Sequence, residues 1–176
     1  MKNRFMQIIV GAFLGLAILI VGTQLVSAQD SEGKERKERK ERSLEGVWRG
    51  TITPRNCVTG VPIPTAAFEA LLTFHKGGTL SAWVQNSTIT ITRSPSHGLW
   101  QREQGWGDYS FKFVHLRYNL TTGAFIGRQE SGGTLQLSAS GDEFTTDAQT
   151  QVFDINGNLT ITSCANSVGT RFTMGR

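Results

Sequence analysis

The sequence predicts an all-β protein: a single antiparallel up-and-down β-barrel of about eight strands, preceded by a signal peptide and a charged spacer. Three observations carry this prediction. From residue 44 onward, apolar and polar residues alternate with period two. Turn signals built on Gly, Asn and Asp recur between these alternating stretches at hairpin spacing. No stretch carries a 3.6-residue apolar stripe over three turns. Local hairpins in this number suit a closed barrel, because closure removes exposed strand edges.

The chain begins with material of another kind. Lys2 and Arg4 precede an uncharged apolar run, 8–22, and Val26-Ser27-Ala28 supplies small residues at its exit. That order reads as a secretory signal over 1–28. The run of 15 residues falls short of the ~20 that a bilayer core requires, which argues against a retained anchor. Residues 29–43 follow as a spacer in which Lys-Glu-Arg occurs three times over 34–42. Opposite charges at i,i+3 and i,i+4 support a helix weakly, and nine residues are too few for one to persist alone. The spacer is therefore expected to be disordered, and the barrel to occupy 44–176. The expected location is secreted or periplasmic, with membrane contact only through the signal peptide during export.

Charge excludes one partner class. The whole chain carries a formal +4, but residues 44–176 hold ten bases and nine acids. A domain so close to neutral has no electrostatic footprint for a phosphate backbone, so nucleic acid is not expected as a partner. The two cysteines, Cys57 and Cys164, form an even count in an exported chain and are expected to pair. Two cysteines without a neighbouring His or third Cys do not make a zinc site. His75, His97 and His115 share no ligand spacing, so neither a metal nor a cofactor is expected.

The predicted strands fall in order at 46–54, 67–75, 79–85, 98–103, 108–118, 124–130, 134–140 and 143–154. Shorter pieces are expected at 88–92, 159–163 and 170–174. One helical turn is expected after Pro64, with Thr65 as its cap. Gly77-Gly78, 105–108 and Gly132-Gly133 read as hairpin turns. Alternation assigns faces: Phe68, Ala70, Leu72 and Phe74 share one, and Tyr109, Phe111, Phe113, His115 and Arg117 share another. Several faces are half polar, which fits a partly wet lumen better than a dry sandwich core.

Two patches resemble the lipocalin group of the calycin superfamily. Gly46-Val47-Trp48 is similar to the Gly-x-Trp signature of the first strand, and Arg171 falls where lipocalins place an Arg across that Trp. In a closed barrel the first and last strands are neighbours, so a guanidinium can stack on the indole and cap one end. Trp48 and Arg171 are thus expected to play a structural role. A wider set of motifs resembles uncharacterised secreted bacterial proteins. These include Leu44-Glu45-Gly46-Val47-Trp48, Pro54-Arg55-Asn56-Cys57, 93–100, Gly141-Asp142-Glu143-Phe144 and Gly169-Thr170-Arg171-Phe172. This second resemblance implies a shared small barrel and no particular activity.

The best candidates for contact with a ligand are Tyr109, Phe111, Phe113, His115 and Arg117. If their shared face points inward, the rings offer apolar surface and the two polar groups would orient an anionic or carbonyl-bearing molecule; the alternative is that His115 and Arg117 form an outward tip of the strand beyond the barrel rim. No catalytic residue is assigned. His97, in a turn made rigid by Pro95 and Gly98, is expected to bond local backbone. Trp83, Trp100 and Trp106 are expected to pack. The expected function is non-catalytic binding of a small, largely apolar ligand in the lumen. One alternative is a solid-core envelope or extracellular interaction protein. Another is a barrel enzyme of the allene-oxide-cyclase kind using His115 or His97 as proton carrier, which needs a partner for the His in one pocket.

Overall fold

The computed structural model describes residues 43–85 and 90–174. The predicted signal peptide, 1–28, and the predicted spacer up to residue 42 lie outside the described residues.

Nine strands are described: β1 (Gly46–Arg55), β2 (Phe68–Phe74), β3 (Thr79–Val84), β4 (Ile91–Arg93), β5 (Ser96–Arg102), β6 (Asp108–Asn119), β7 (Phe125–Leu137), β8 (Glu143–Phe153) and β9 (Leu159–Arg171). All pairings between them are antiparallel. Eight strands close in chain order into an up-and-down barrel, with β1 paired to both β2 and β9 and with β6 paired to β7. The ninth, β4, is a short extra strand lying on β6 beside β5.

The hairpins follow the turn chemistry. Between β2 and β3 the chain turns through Gly77 and Gly78, both at positive φ (93° and 87°), where a Cβ would be strained. A single 3-10 turn spans Pro64–Ala66 as expected, but Ile63, not Thr65, occupies the capping position and no side chain caps it.

Two predicted breaks do not exist. Gly132-Gly133 lies inside β7, opposite Lys112 and Phe111 on one side and Gln149 and Ala148 on the other. A Cβ on Gly133 would collide with the Asp147 carbonyl, so these glycines serve close approach of strands and not a turn. Likewise 159–163 and 170–171 belong to one strand, β9, whose middle residues pair continuously with β1 and β8, while 172–174 lie beyond its end. His97 is a strand residue of β5, paired with Ser81 and Val114, and its side chain is exposed. Of the tryptophans expected to pack, Trp100 does so, whereas Trp83 takes the outward phase of β3 and Trp106 sits at the β5–β6 hairpin tip; both are exposed.

The core fills one end of the barrel. Trp48, Phe74, Phe144, Leu80, Leu137 and Leu44 are essentially inaccessible to solvent. Their rings interlock: Trp48 lies 5.0 Å from Phe144, and Phe74 meets Phe144 and Trp100 edge-on at 6.2 and 6.0 Å. Such tilted and edge-on pairs add stabilisation beyond the area they bury. The segment before β1 folds over this end, burying Leu44, and the Trp48 indole N–H donates to the Leu44 carbonyl at 2.9 Å.

Arg171 fastens that lid. It is the register partner of Trp48. Its guanidinium carbon stands 4.2 Å from the centre of the indole. From there it donates to the carbonyls of Ser43 (2.6 Å), Glu45 (2.8 Å) and Gly141 (2.9 Å from Nε and 2.6 Å from Nη2). One side chain thus ties the entry segment, the β7–β8 turn and the last strand together. The Cys57–Cys164 disulfide does related work near the opposite end, joining the loop after β1 to β9 across a Cα separation of 5.2 Å.

Candidate ligand-binding lumen

Beyond the aromatic plug, the barrel is hollow. A cavity of about 300 Å³ runs from Phe144 and Leu72 towards the far end. Its two sides differ because the inward phase of each strand differs. Strands β1, β2, β3 and β6 contribute Ile52, Phe68, Ala70, Val84, Phe111 and Phe113. Strands β7, β8 and β9 contribute Gln129, Ser131, Thr146, Thr150 and Ser167, interleaved with Phe144, Ala148, Val152 and Ala165. The Ser131 and Thr150 hydroxyls satisfy each other at 2.8 Å, while the buried Thr146 Oγ1 has no partner among the described residues.

The five predicted contact residues divide by depth. Phe111 and Phe113 line the cavity, their rings stacked 6.1 Å apart. Tyr109 lies on the same face but nearer the plug, against Trp100 at 5.7 Å and beneath the Arg102 guanidinium; it belongs to the packed core. His115 is buried, 2% exposed, two residues beyond Phe113. Arg117 follows it, half-buried, opposite Arg93 of β4.

Neither His115 nor Arg117 is among the residues that line the cavity, and His115 is held in an unusual state beside it. Its Nδ1 is 3.4 Å from the Ser96 hydroxyl, and its Nε2 has no partner among the described residues. Burial pushes its pKa down to about 4 from the ordinary 6.5, and the positive charges of Arg93 and Arg117 push the same way. Gln129, its register partner on β7, opposes the shift without closing to hydrogen-bonding geometry at Nε2. The ring is therefore neutral at physiological pH.

That state makes stability depend on pH. Between pH 6.5 and about 4 the unfolded chain binds the proton and the folded chain does not, so stability falls as pH falls through this window. Between pH 7 and 5 the loss is expected to be about 2 kcal/mol. Glu69, Glu103, Glu130 and Asp154, all held below their ordinary range by hydrogen bonds, contribute only at lower pH. Urea unfolding at pH 7 and pH 5 should reveal the difference, and His115→Gln should flatten it. An equal slope in the variant would place its origin elsewhere.

Sequence reasoning missed Arg93 and Gln129, both of which line the cavity. Gln129 had a signal, since it shares a phase with Ser131 on an alternating strand. Arg93 had one too: Thr-Ile-Thr-Ile-Thr over 88–92 alternates, and Arg93 continues the phase of Ile91. No described cluster of His, Cys, Asp or Glu has the geometry of a metal site.

The fold and lumen together define a class: a closed eight-stranded antiparallel β-barrel, plugged at one end, with an interior cavity. No protein-family model matches the chain, and no curated protein sequence matches it. Among solved structures, it is similar to the crystal structure of Rv2717c from M. tuberculosis, with 13% identity over 74% of this chain and 93% of that one and a TM-score of 0.37. A similarity this low carries no argument about function. The disulfide points to a non-reducing compartment. Among the described residues, no helix is long and apolar enough to cross a membrane.

Proposed function

We propose that this protein is an exported, lipocalin-like barrel that holds a small, largely apolar ligand in its lumen without transforming it. The observation that carries this reading is the cavity of about 300 Å³ under the aromatic plug, with phenylalanine and aliphatic side chains along one wall. Its volume is at the lower end of the range for small-molecule sites, and its mix of apolar surface with a few polar groups is their usual chemistry. A cavity of this size weighs against a solid-core interaction protein. For enzymatic use, the two candidate proton carriers are badly placed: His97 points outward, and His115 lies outside the cavity lining, with the Ser96 hydroxyl as its one hydrogen-bond partner among the described residues.

Native mass spectrometry of gently purified protein tests the reading. A co-purified mass, or displacement of an environment-sensitive apolar dye from the lumen, is expected. Ala148→Phe, which puts a ring into the cavity from β8, is expected to weaken dye binding at least tenfold. Absence of both a bound mass and dye uptake in the wild type would refute the proposal, as would undiminished uptake in folded Ala148→Phe.

A further inference from the structure

The arginines of this barrel fall into two groups. Arg49, Arg55, Arg128 and Arg171 each meet a carboxylate, of Glu69, Asp147, Glu130 and Asp142 respectively. Arg102, Arg93 and Arg117 meet none among the described residues; Arg102 lies over the Tyr109 ring, whereas Arg93 and Arg117 face each other. These last two are direct register partners in the β4–β6 pair, so both side chains project to the same side. Like charges placed opposite each other in this way destabilise a sheet. Arg93 nevertheless lines the cavity, and its single described hydrogen bond is a long one, 3.5 Å to the Gln85 carbonyl. Arg117 makes none among the described residues.

The neighbourhood sharpens the point. His115, on the same face of β6, is neutral and leaves Nε2 without a described partner, and Gln129 opposite it lines the cavity. No described acid of β4, β6 or β7 closes on this corner: Glu130 is already engaged by Lys112 and Arg128. Desolvating a guanidinium without an anion is unfavourable, and here Arg93 is desolvated at the cavity wall with a second guanidinium, Arg117, opposite it. The corner has the composition of an anion site whose anion comes from elsewhere.

We propose that the lumen takes an amphipathic monocarboxylate, its hydrocarbon chain along Phe111 and Phe113 and its carboxylate between Arg93 and Arg117. This rests on the binding function proposed above and specifies the ligand class. The planar guanidinium fork matches a carboxylate in bidentate fashion. Gln129, which lines the cavity, adds polar atoms beside it. At roughly 30 Å³ per water-sized unit, the cavity holds about ten such units, which suits a medium-length acyl chain.

Calorimetric titration with octanoate and with octanol, which share a tail and differ in head group, tests the assignment. Wild-type protein is expected to bind octanoate at least tenfold more tightly than octanol. In Arg93→Gln and in Arg117→Gln that ratio is expected to fall at least tenfold. Each variant is expected to melt no lower than wild type, because it removes a like-charge pair, and this separates lost recognition from lost folding. Equal wild-type affinity for the two ligands, or a ratio unchanged in both folded variants, would overturn the carboxylate assignment and leave the binding function standing. Binding of neither ligand, together with no dye uptake, would remove both.

Discussion

Reduction of the Cys57–Cys164 bond, or its replacement by Cys57→Ser with Cys164→Ser, is expected to lower the unfolding free energy by about 4–5 kcal/mol. The reason lies mainly in the unfolded chain. The bond closes a loop with a sequence separation of 107, and the entropy removed from the denatured ensemble grows with the logarithm of that length. The native side of the balance changes little. Arg55, two residues before Cys57, is already the register partner of Cys164 in the β1–β9 pair, so the ladder holds the two sulfurs' backbones close without the bond. Against a typical domain stability of about 5–15 kcal/mol, the loss leaves a marginal fold. Urea titrations with and without reductant measure it. The reduced protein should also show a larger m-value, because its unfolded chain exposes more surface. A loss below about 1 kcal/mol would mean that the reduced unfolded state retains structure.

Trp48→Ala is expected to cost about 3–5 kcal/mol, the range for removing a fully buried aromatic side chain. Trp48 is 0% exposed, touches Phe144, anchors Leu44 through its indole N–H and carries the Arg171 guanidinium on its face. Its loss therefore opens a cavity and loosens the lid. Arg171→Lys isolates the second part. A lysine retains the charge but lacks the planar fork that reaches the carbonyls of Ser43, Glu45 and Gly141, and it stacks poorly on an indole. A cost of about 2 kcal/mol is expected. The two substitutions share partners, so their effects should be non-additive in a double-mutant cycle. Hydrogen exchange at residues 43–46 should accelerate in both variants. Additive costs with unchanged exchange would show that the lid closes without this pair.

Legibility differed between the two ends of the barrel. At the plugged end, Trp48 and Arg171 were readable through the resemblance to lipocalins, and the closed barrel supplies the physical reason, since its first and last strands must be neighbours. At the hollow end, Phe111, Phe113, His115 and Arg117 were readable as one face of a long alternating strand. That Tyr109 joins the plug while Phe111 lines the cavity was not, since alternation says which side a residue faces and not how deep it lies.

The amino-acid pattern by itself determined the all-β class, most of the hairpins, the residues that share a face in β2 and in β6, and the Cys57–Cys164 pairing. These are local or topological consequences of period-two alternation, turn residues and an even cysteine count. Tertiary structure decided that Gly132-Gly133 is a point of close strand contact, that β9 runs unbroken, and that Arg93 comes to face Arg117 above a hollow interior. Those depend on the register between strands distant in sequence. Register is set by the simultaneous packing of eight inward faces, a condition that no single segment carries.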